Sequence, residues 1–327
     1  METKNLLVGH NSSLRFANNA VNVNSGFTLL ELLIAVLIGS IVIAVVGGLF
    51  LANTNTFKTV DDSSRLQENG RFALQTIARA VHQAGFVSAD VLQLVNTSKD
   101  AFPSNLGGIV GATVIAGRDG TGHSNSDTLT VAFRGAPLGQ ILDCGGNKNP
   151  TTLVNPGVAV ASLDAPIVNT FYVEVANAGA SAGFSLWCDV TVDGALKGHY
   201  ELITGVESFQ VLYGVNSTIT TSTLGGAAIA PQPDYYTSAN KLSGIQFRAI
   251  RGLQVALVLR GAERSTLDTA RTTNTLNLFG SLADRVTPLY NGVVNADAGA
   301  VYTIQAGDEL RTFRVITSTI ELRNGAA

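Results

Sequence analysis

Apolar residues run almost without interruption from Phe27 to Ala52, FTLLELLIAVLIGSIVIAVVGGLFLA, and Glu31 is the only charge among them. About 20 such residues in a helix cross the hydrocarbon layer of a bilayer. Leu, Ile and Val fall on every face, so the stretch lacks the polar stripe of a helix resting on a soluble core. The pattern predicts a helix surrounded by lipid or by the interior of a helical bundle. It is too long for the apolar part of a secretory signal, and no A-x-A pattern follows it.

Past Ala52 the pattern turns amphipathic, and no proline stops the helix. Leu66, Ala73, Ile77, Val81 and Ala84 share a helical stripe that Leu74 widens, and Gly70 is expected to let another backbone come close. Arg65, Glu68, Arg71, Arg79 and His82 take the other side, and Gly85 is placed to cap the end. A helix over 27–84 would be about 85 Å long, half in lipid and half laid on a sheet. Gly47-Gly48 reads in two ways: as a point where the helix loosens on leaving lipid, or as a place for close helix packing.

From Phe86 onward apolar and polar residues alternate in runs bounded by glycine, asparagine and proline, the mark of strands and turns. Candidate strands are 109–116, 127–134, 170–176, 184–192, 199–203, 206–215, 253–260 and 310–322. The stretches 216–239 and 262–300 are too long for simple hairpins and read as variable surface loops. The fold class expected is α+β: a long N-terminal helix, membrane-spanning in its first half, packed on a mainly antiparallel β head.

Composition narrows the function. With 46% apolar residues the chain can bury a core. A net charge of -3 and 14% charged residues leave no basic stripe, so direct nucleic-acid binding is not expected. Cys144 and Cys188 are too far apart for a CxxC redox pair, and too few His and Cys surround them for a closed zinc site. Outside the cytoplasm they would form a disulfide; two separate buried thiols are the alternative.

Several fragments resemble chemistry without completing it. Ser238-Ala239-Asn240-Lys241 has S-x-x-K spacing but no K-T-G partner, and Gly107-Gly108-Ile109-Val110-Gly111 lacks the full phosphate-loop pattern. His82, His123 and His199 are scattered, with no H-E-x-x-H. The loop 119–127, DGTGHSNSD, offers oxygens to calcium but not at EF-hand spacing. No catalytic residue, cofactor or metal ligand is assigned, and an enzyme is not expected.

The junction Ser25-Gly26-Phe27-Thr28-Leu29-Leu30-Glu31 resembles the type IV prepilin signature. The resemblance implies that prepilin peptidase cuts between Gly26 and Phe27, that Phe27 is N-methylated, and that Glu31 pairs with the terminal amine of an adjacent subunit to set register. Two physical terms bear on Glu31. An unpaired carboxylate in lipid costs roughly 2.5–3.5 kcal/mol, and the positive end of the helix macrodipole offsets part of that in the first turn. The leader 1–26 is longer than the short leaders of this family and has Asn24-Ser25 where a basic pair often stands, although Lys4 and Arg15 suit the positive-inside rule.

The stretch RLQENGRFA from Arg65 resembles the motif of PilW-type minor pilins, as do YELITGVESFQV from Tyr200 and the end from Phe313 to Asn324. The resemblance implies a leader over 1–26, a membrane helix over 27–52, its amphipathic continuation over 53–85, and a head over 86–327. It further implies a minor pilin in initiation or assembly of a type IV pilus, with adhesion, twitching motility or DNA uptake downstream. Its partners would be other minor and major pilins, the peptidase/methyltransferase and the inner-membrane assembly platform. Its location would be the inner membrane, with the head in the periplasm, and then the pilus. Two alternatives stay open: a J-type minor pseudopilin of type II secretion, and a membrane-anchored periplasmic binding or enzymatic domain.

Overall fold

The computed structural model describes residues 26–87, 105–106, 109–110, 113–134, 141–148, 166–177, 183–192, 194–216, 232–244, 246–264, 274–280 and 300–323. The leader up to residue 25 and the glycines Gly107, Gly108 and Gly111 lie outside the described residues. By internal contacts the chain forms two units, Met1–Asn53 and Thr54–Ala327.

One helix, α1 (Leu29–Gln83), runs through Gly47-Gly48 without a break. In the first unit every described residue is exposed except the half-buried Gly39, and a side chain added at Gly39, Gly47 or Gly48 would meet open space. In the second unit α1 buries Leu66, Ala73, Ile77, Ala80 and Val81. Leu66, Ala73, Ile77 and Val81 belong to the stripe expected from the sequence, and Ala80 and the polar Asp62 and Thr76 add to it. The helix ends where Gly85 turns to φ +71°, a left-handed cap that glycine adopts without a Cβ penalty.

Gly70 corrects one expectation in detail. It is buried, but what comes close is not a backbone: a Cβ there would run into the Ile316 and Leu259 side-chain ends.

Thirteen strands follow among the described residues. A two-residue pair, β1 (Asn105–Leu106) and β2 (Ile109–Val110), stands apart from two larger sheets. The first is a five-stranded antiparallel meander of β3 (Ile115–Arg118), β4 (Thr128–Phe133), β5 (Ile167–Val175), β6 (Phe184–Val192) and β7 (Ala195–Thr204). In β5, Ile167, Phe171 and Val173 are buried while Val168, Thr170 and Tyr172 between them are half-buried. That is the period-two pattern of a sheet with one covered face.

The second sheet contains β8 (Val206–Val215), β9 (Tyr235–Thr237), β10 (Ile250–Arg264) and β13 (Arg311–Glu321), in the antiparallel order β13-β10-β8-β9. β8 is buried along its whole length, with α1 and the first sheet on one side and the two-stranded antiparallel pair of β11 (Thr275–Asn277) and β12 (Val301–Thr303) on the other.

The chain passes from one sheet to the other at a single residue, Gly205. Its φ is +75°, and a Cβ there would meet the Arg260 carbonyl oxygen at 2.7 Å. Its N–H donates to Phe184 O at 2.8 Å, and its carbonyl accepts from Arg260 N at 2.8 Å. Any other residue would be both strained and in collision.

The stretches read as loops hold strands after all. β9 lies within 216–239, β11 lies within 262–300, and β10 runs on to Arg264. Three residues are too few to show alternation, so only pairing with β8 or β12 makes β9 and β11 strands.

Candidate processing and assembly site at the start of the helix

Gly26, Phe27 and Thr28 precede the helix in non-helical backbone, and Phe27 is 83% exposed. The Thr28 carbonyl accepts the first helical bond, from Leu32 N at 3.1 Å, and the Thr28 hydroxyl accepts from Glu31 N at 3.3 Å. This is an N-cap, and Thr28-Leu29-Leu30-Glu31 has the spacing of a capping box. The T-x-x-E pattern was the signal that sequence reasoning passed over. The cap matters more in lipid than in water, because an unsatisfied N–H there has no solvent to bond.

Glu31 therefore sits in the first turn, near the positive end of the helix macrodipole. It forms no ion pair among the described residues, whereas Arg65 and Arg71 pair with Asp61 and Glu68 at 2.9 Å each. The large apolar side chains from Leu29 to Leu51 are all exposed. Such a contiguous apolar surface marks a contact with lipid or with other helices.

The other residues singled out in the sequence lie elsewhere, within the second unit. Cys144 and Cys188 form a disulfide, with their Cα atoms 6.4 Å apart. It ties the segment 141–148 to β6. That segment is also held by Asn147 Nδ2 donating to Tyr200 Oη at 2.8 Å and by Arg79 donating to Asp143 O at 3.3 Å. Closing a loop of 44 residues removes about 4 kcal/mol of chain entropy from the unfolded state.

The loop 119–127 is spent on the fold. Asp127 is buried; it accepts from Val211 N at 2.8 Å and from Gly120 N at 2.9 Å. Ser126 Oγ accepts from Phe209 N at 3.2 Å. These bonds satisfy the part of the β8 edge that β9, paired only at 213–215, leaves open. Among the described residues no group of three or more His, Cys, Asp and Glu could hold a metal ion. Ser238 Oγ bonds Asn240 Oδ1 at 2.8 Å, so its contact is not with Lys241.

The histidines have partners that sequence spacing could not reveal. His199 Nδ1 lies 2.7 Å from Asp189 Oδ1, and its ring stacks on Trp187 with centroids 4.2 Å apart. His123 stacks on Phe184 and faces Glu207 at 3.8 Å. Burial pulls the His123 pKa down more strongly than Glu207 pulls it up. Glu207, with only 5% of its side chain exposed, pairs with Arg260 Nε at 2.5 Å and accepts from Tyr302 Oη at 3.3 Å. Arg260 reaches Asp308 at 3.6 Å, and Arg311 holds Asp308 at 2.8 Å. These contacts join β8, β10 and the β12 layer into one ionic network around the buried Glu207.

Comparison with known proteins fits this geometry. Residues 170–324 match the model of type IV pilus-assembly protein W, and residues 22–47 match the prokaryotic N-terminal methylation motif. No curated protein matches the chain. Among solved structures, a type IV-like pilin from Thermus thermophilus aligns over 80% of this chain and 98% of its own, at 12% identity and a TM-score of 0.43. A likeness that loose carries no argument. The first match takes in the Gly205 corner and the Glu207–Arg260 pair, and the second takes in the Thr28 cap and Glu31. The chain is a type IV prepilin of the PilW type.

Proposed function

We propose that the chain is a minor pilin that helps to initiate or assemble a type IV pilus, entering the filament after removal of residues 1–26. The observation that carries this reading is the start of α1. An exposed, non-helical Gly26-Phe27 peptide stands directly before a capped helix whose following large apolar side chains are exposed among the described residues.

In this reading prepilin peptidase cuts between Gly26 and Phe27, and Phe27 becomes the N-methylated first residue. Residues 27–52 anchor the subunit in the inner membrane, and 53–85 continue the helix. The head, 86–327, lies in the periplasm, where the Cys144–Cys188 bond persists. Lateral packing of apolar helices then draws the subunit from lipid into the filament. Pairing of Glu31 with the Phe27 ammonium of a neighbouring pilin removes the penalty of an isolated carboxylate and disfavours other registers. The platform protein and the other pilins are its partners. The pilin matches support a structural subunit and not an enzyme.

The test is mass spectrometry of the protein's N-terminus in cells with and without prepilin peptidase. The expected result is methylated Phe27 at the terminus in the first case and an uncut chain in the second. A terminus beyond Ala52, or identical products in both strains, would overturn the reading.

A further inference from the structure

A cavity of about 500 Å3 lies between α1 and β13, lined by Leu74, Ala78, Val315 and Ile316 together with two cations, Arg71 and Arg314. β13 ends its sheet, so one of its edges has no strand beside it among the described residues.

The phase of the ladder decides which groups face that edge. Leu322 N donates to Arg251 O, and the register from Gly252↔Glu321 to Arg260↔Phe313 has no shift. In an antiparallel ladder, bonded and non-bonded pairs alternate. The even-numbered residues of β13 therefore exchange bonds with β10, and the N–H and C=O groups of Val315, Thr317 and Thr319 point outward. An edge of this kind is a template for an incoming strand.

Charge selects the occupant. Both charged side chains in the cavity are arginines. Arg71 shares the exposed Glu68 carboxylate at 2.9 Å, and Arg314 hydrogen-bonds only the neutral Ser63 hydroxyl, also at 2.9 Å, among the described residues. A second copy pairing through β13 would add another Arg71 and Arg314 to the same edge. A strand carrying a carboxylate would complement them.

We propose that the outer edge of β13 receives an extended, acid-bearing segment from the head of a different pilus subunit. The segment adds as a strand on Val315, Thr317 and Thr319, sets its carboxylate at Arg314 and Arg71, and lays an apolar side chain against Leu74 and Ile316. This rests on the reading of the chain as a pilus subunit.

The test is amide hydrogen exchange on the full-length protein in detergent, with and without the peptide acetyl-Thr-Val-Thr-Glu-Thr-Val-Thr-amide, whose Glu and two Val share one face of the strand. The peptide is expected to slow exchange at Val315, Thr317 and Thr319 by about tenfold or more. Thr317→Val should keep the effect. Thr317→Pro removes an outward N–H without touching the ladder to β10 and should abolish the slowing at Val315 and Thr319. Arg314→Glu should abolish it as well.

No slowing in the unmodified protein, or slowing that survives both Thr317→Pro and Arg314→Glu, overturns the proposal. So does concentration-dependent slowing without peptide, which would mean self-pairing. In cells, full piliation in a strain deleted for the protein would overturn the subunit reading, while the peptide result still decides the edge. Loss of pili on deletion with full rescue by Thr317→Pro and Arg314→Glu would overturn the edge alone.

Discussion

Residues 29–53 and 54–83 belong to one continuous helix, yet they obey different rules. The first half keeps its apolar side chains exposed, with Ile38 at 55%, while the second buries a stripe that includes Ile77 at 0%. The first half also carries a carboxylate, Glu31, with no ion pair among the described residues, whereas the head surrounds its buried carboxylate, Glu207, with Arg260, Tyr302 and His123. A segment whose partners lie within its own chain stabilises the fold. One whose apolar surface stays exposed among the described residues is open to other surroundings, lipid or other subunits.

Paired substitutions sharpen that contrast, and the largest effect is expected at the carboxylates. Glu207→Ala removes the closest anion of the half-buried Arg260, leaves it Asp308 at 3.6 Å, takes the acceptor from Tyr302 Oη, and should destabilise the head by roughly 3–5 kcal/mol in denaturant unfolding of the detergent-solubilised protein. Glu31→Ala should leave the same unfolding curve unchanged and instead cut incorporation into pili, measured by immunoblot of sheared filaments. Equal stability losses in the two variants would break the comparison.

Ile77→Ala should cost about 2–5 kcal/mol, from lost transfer energy and the cavity left behind. Ile38→Ala should leave head unfolding where it was.

The glycines should respond with opposite signs. Gly70→Ala drives a methyl group against Ile316 and Leu259 and should cost about 1–3 kcal/mol by overpacking. Gly47→Ala adds its methyl to open space and should favour the helix by about 1 kcal/mol, seen as increased helicity with unchanged head stability.

The smallest effect expected is a pH dependence confined to the head. Burial holds the His123 pKa below the ordinary imidazole value of about 6.5, so the unfolded chain takes up a proton there before the folded one does. Stability should therefore fall as pH drops from 6.5 toward the lower folded value, and then level off. His82, also lowered by burial and by Arg323, acts in the same sense. The double variant His82→Gln, His123→Gln should flatten the slope of urea midpoints across that range; an unchanged slope would place the titration in other groups.

Much of this was legible because it is local. The helix, its buried stripe and its glycine cap follow from a 3.6-residue period that neighbours in sequence reveal. The strands 184–192 and 206–215 were expected with the bounds they have, because each shows a long run between turn residues. β9 and β11 escape a periodic reading because three residues carry no period, whereas the Thr28 cap is local and legible as T-x-x-E. The loop 119–127 suggested cation ligands by composition, whereas the Asp127 carboxylate is consumed by the β8 backbone.

By itself the sequence determined the long apolar helix, the prepilin motif around Gly26-Phe27 and the family, since each is written in contiguous residues whose chemistry needs no distant partner. Only the tertiary structure decided that Gly205 turns the chain from one sheet into the other, that Glu207 meets an arginine 53 residues away, and that β13 is left at an edge. Strand order and buried pairing bring together groups far apart in sequence, and a period read along the chain holds no information about which distant segments will meet.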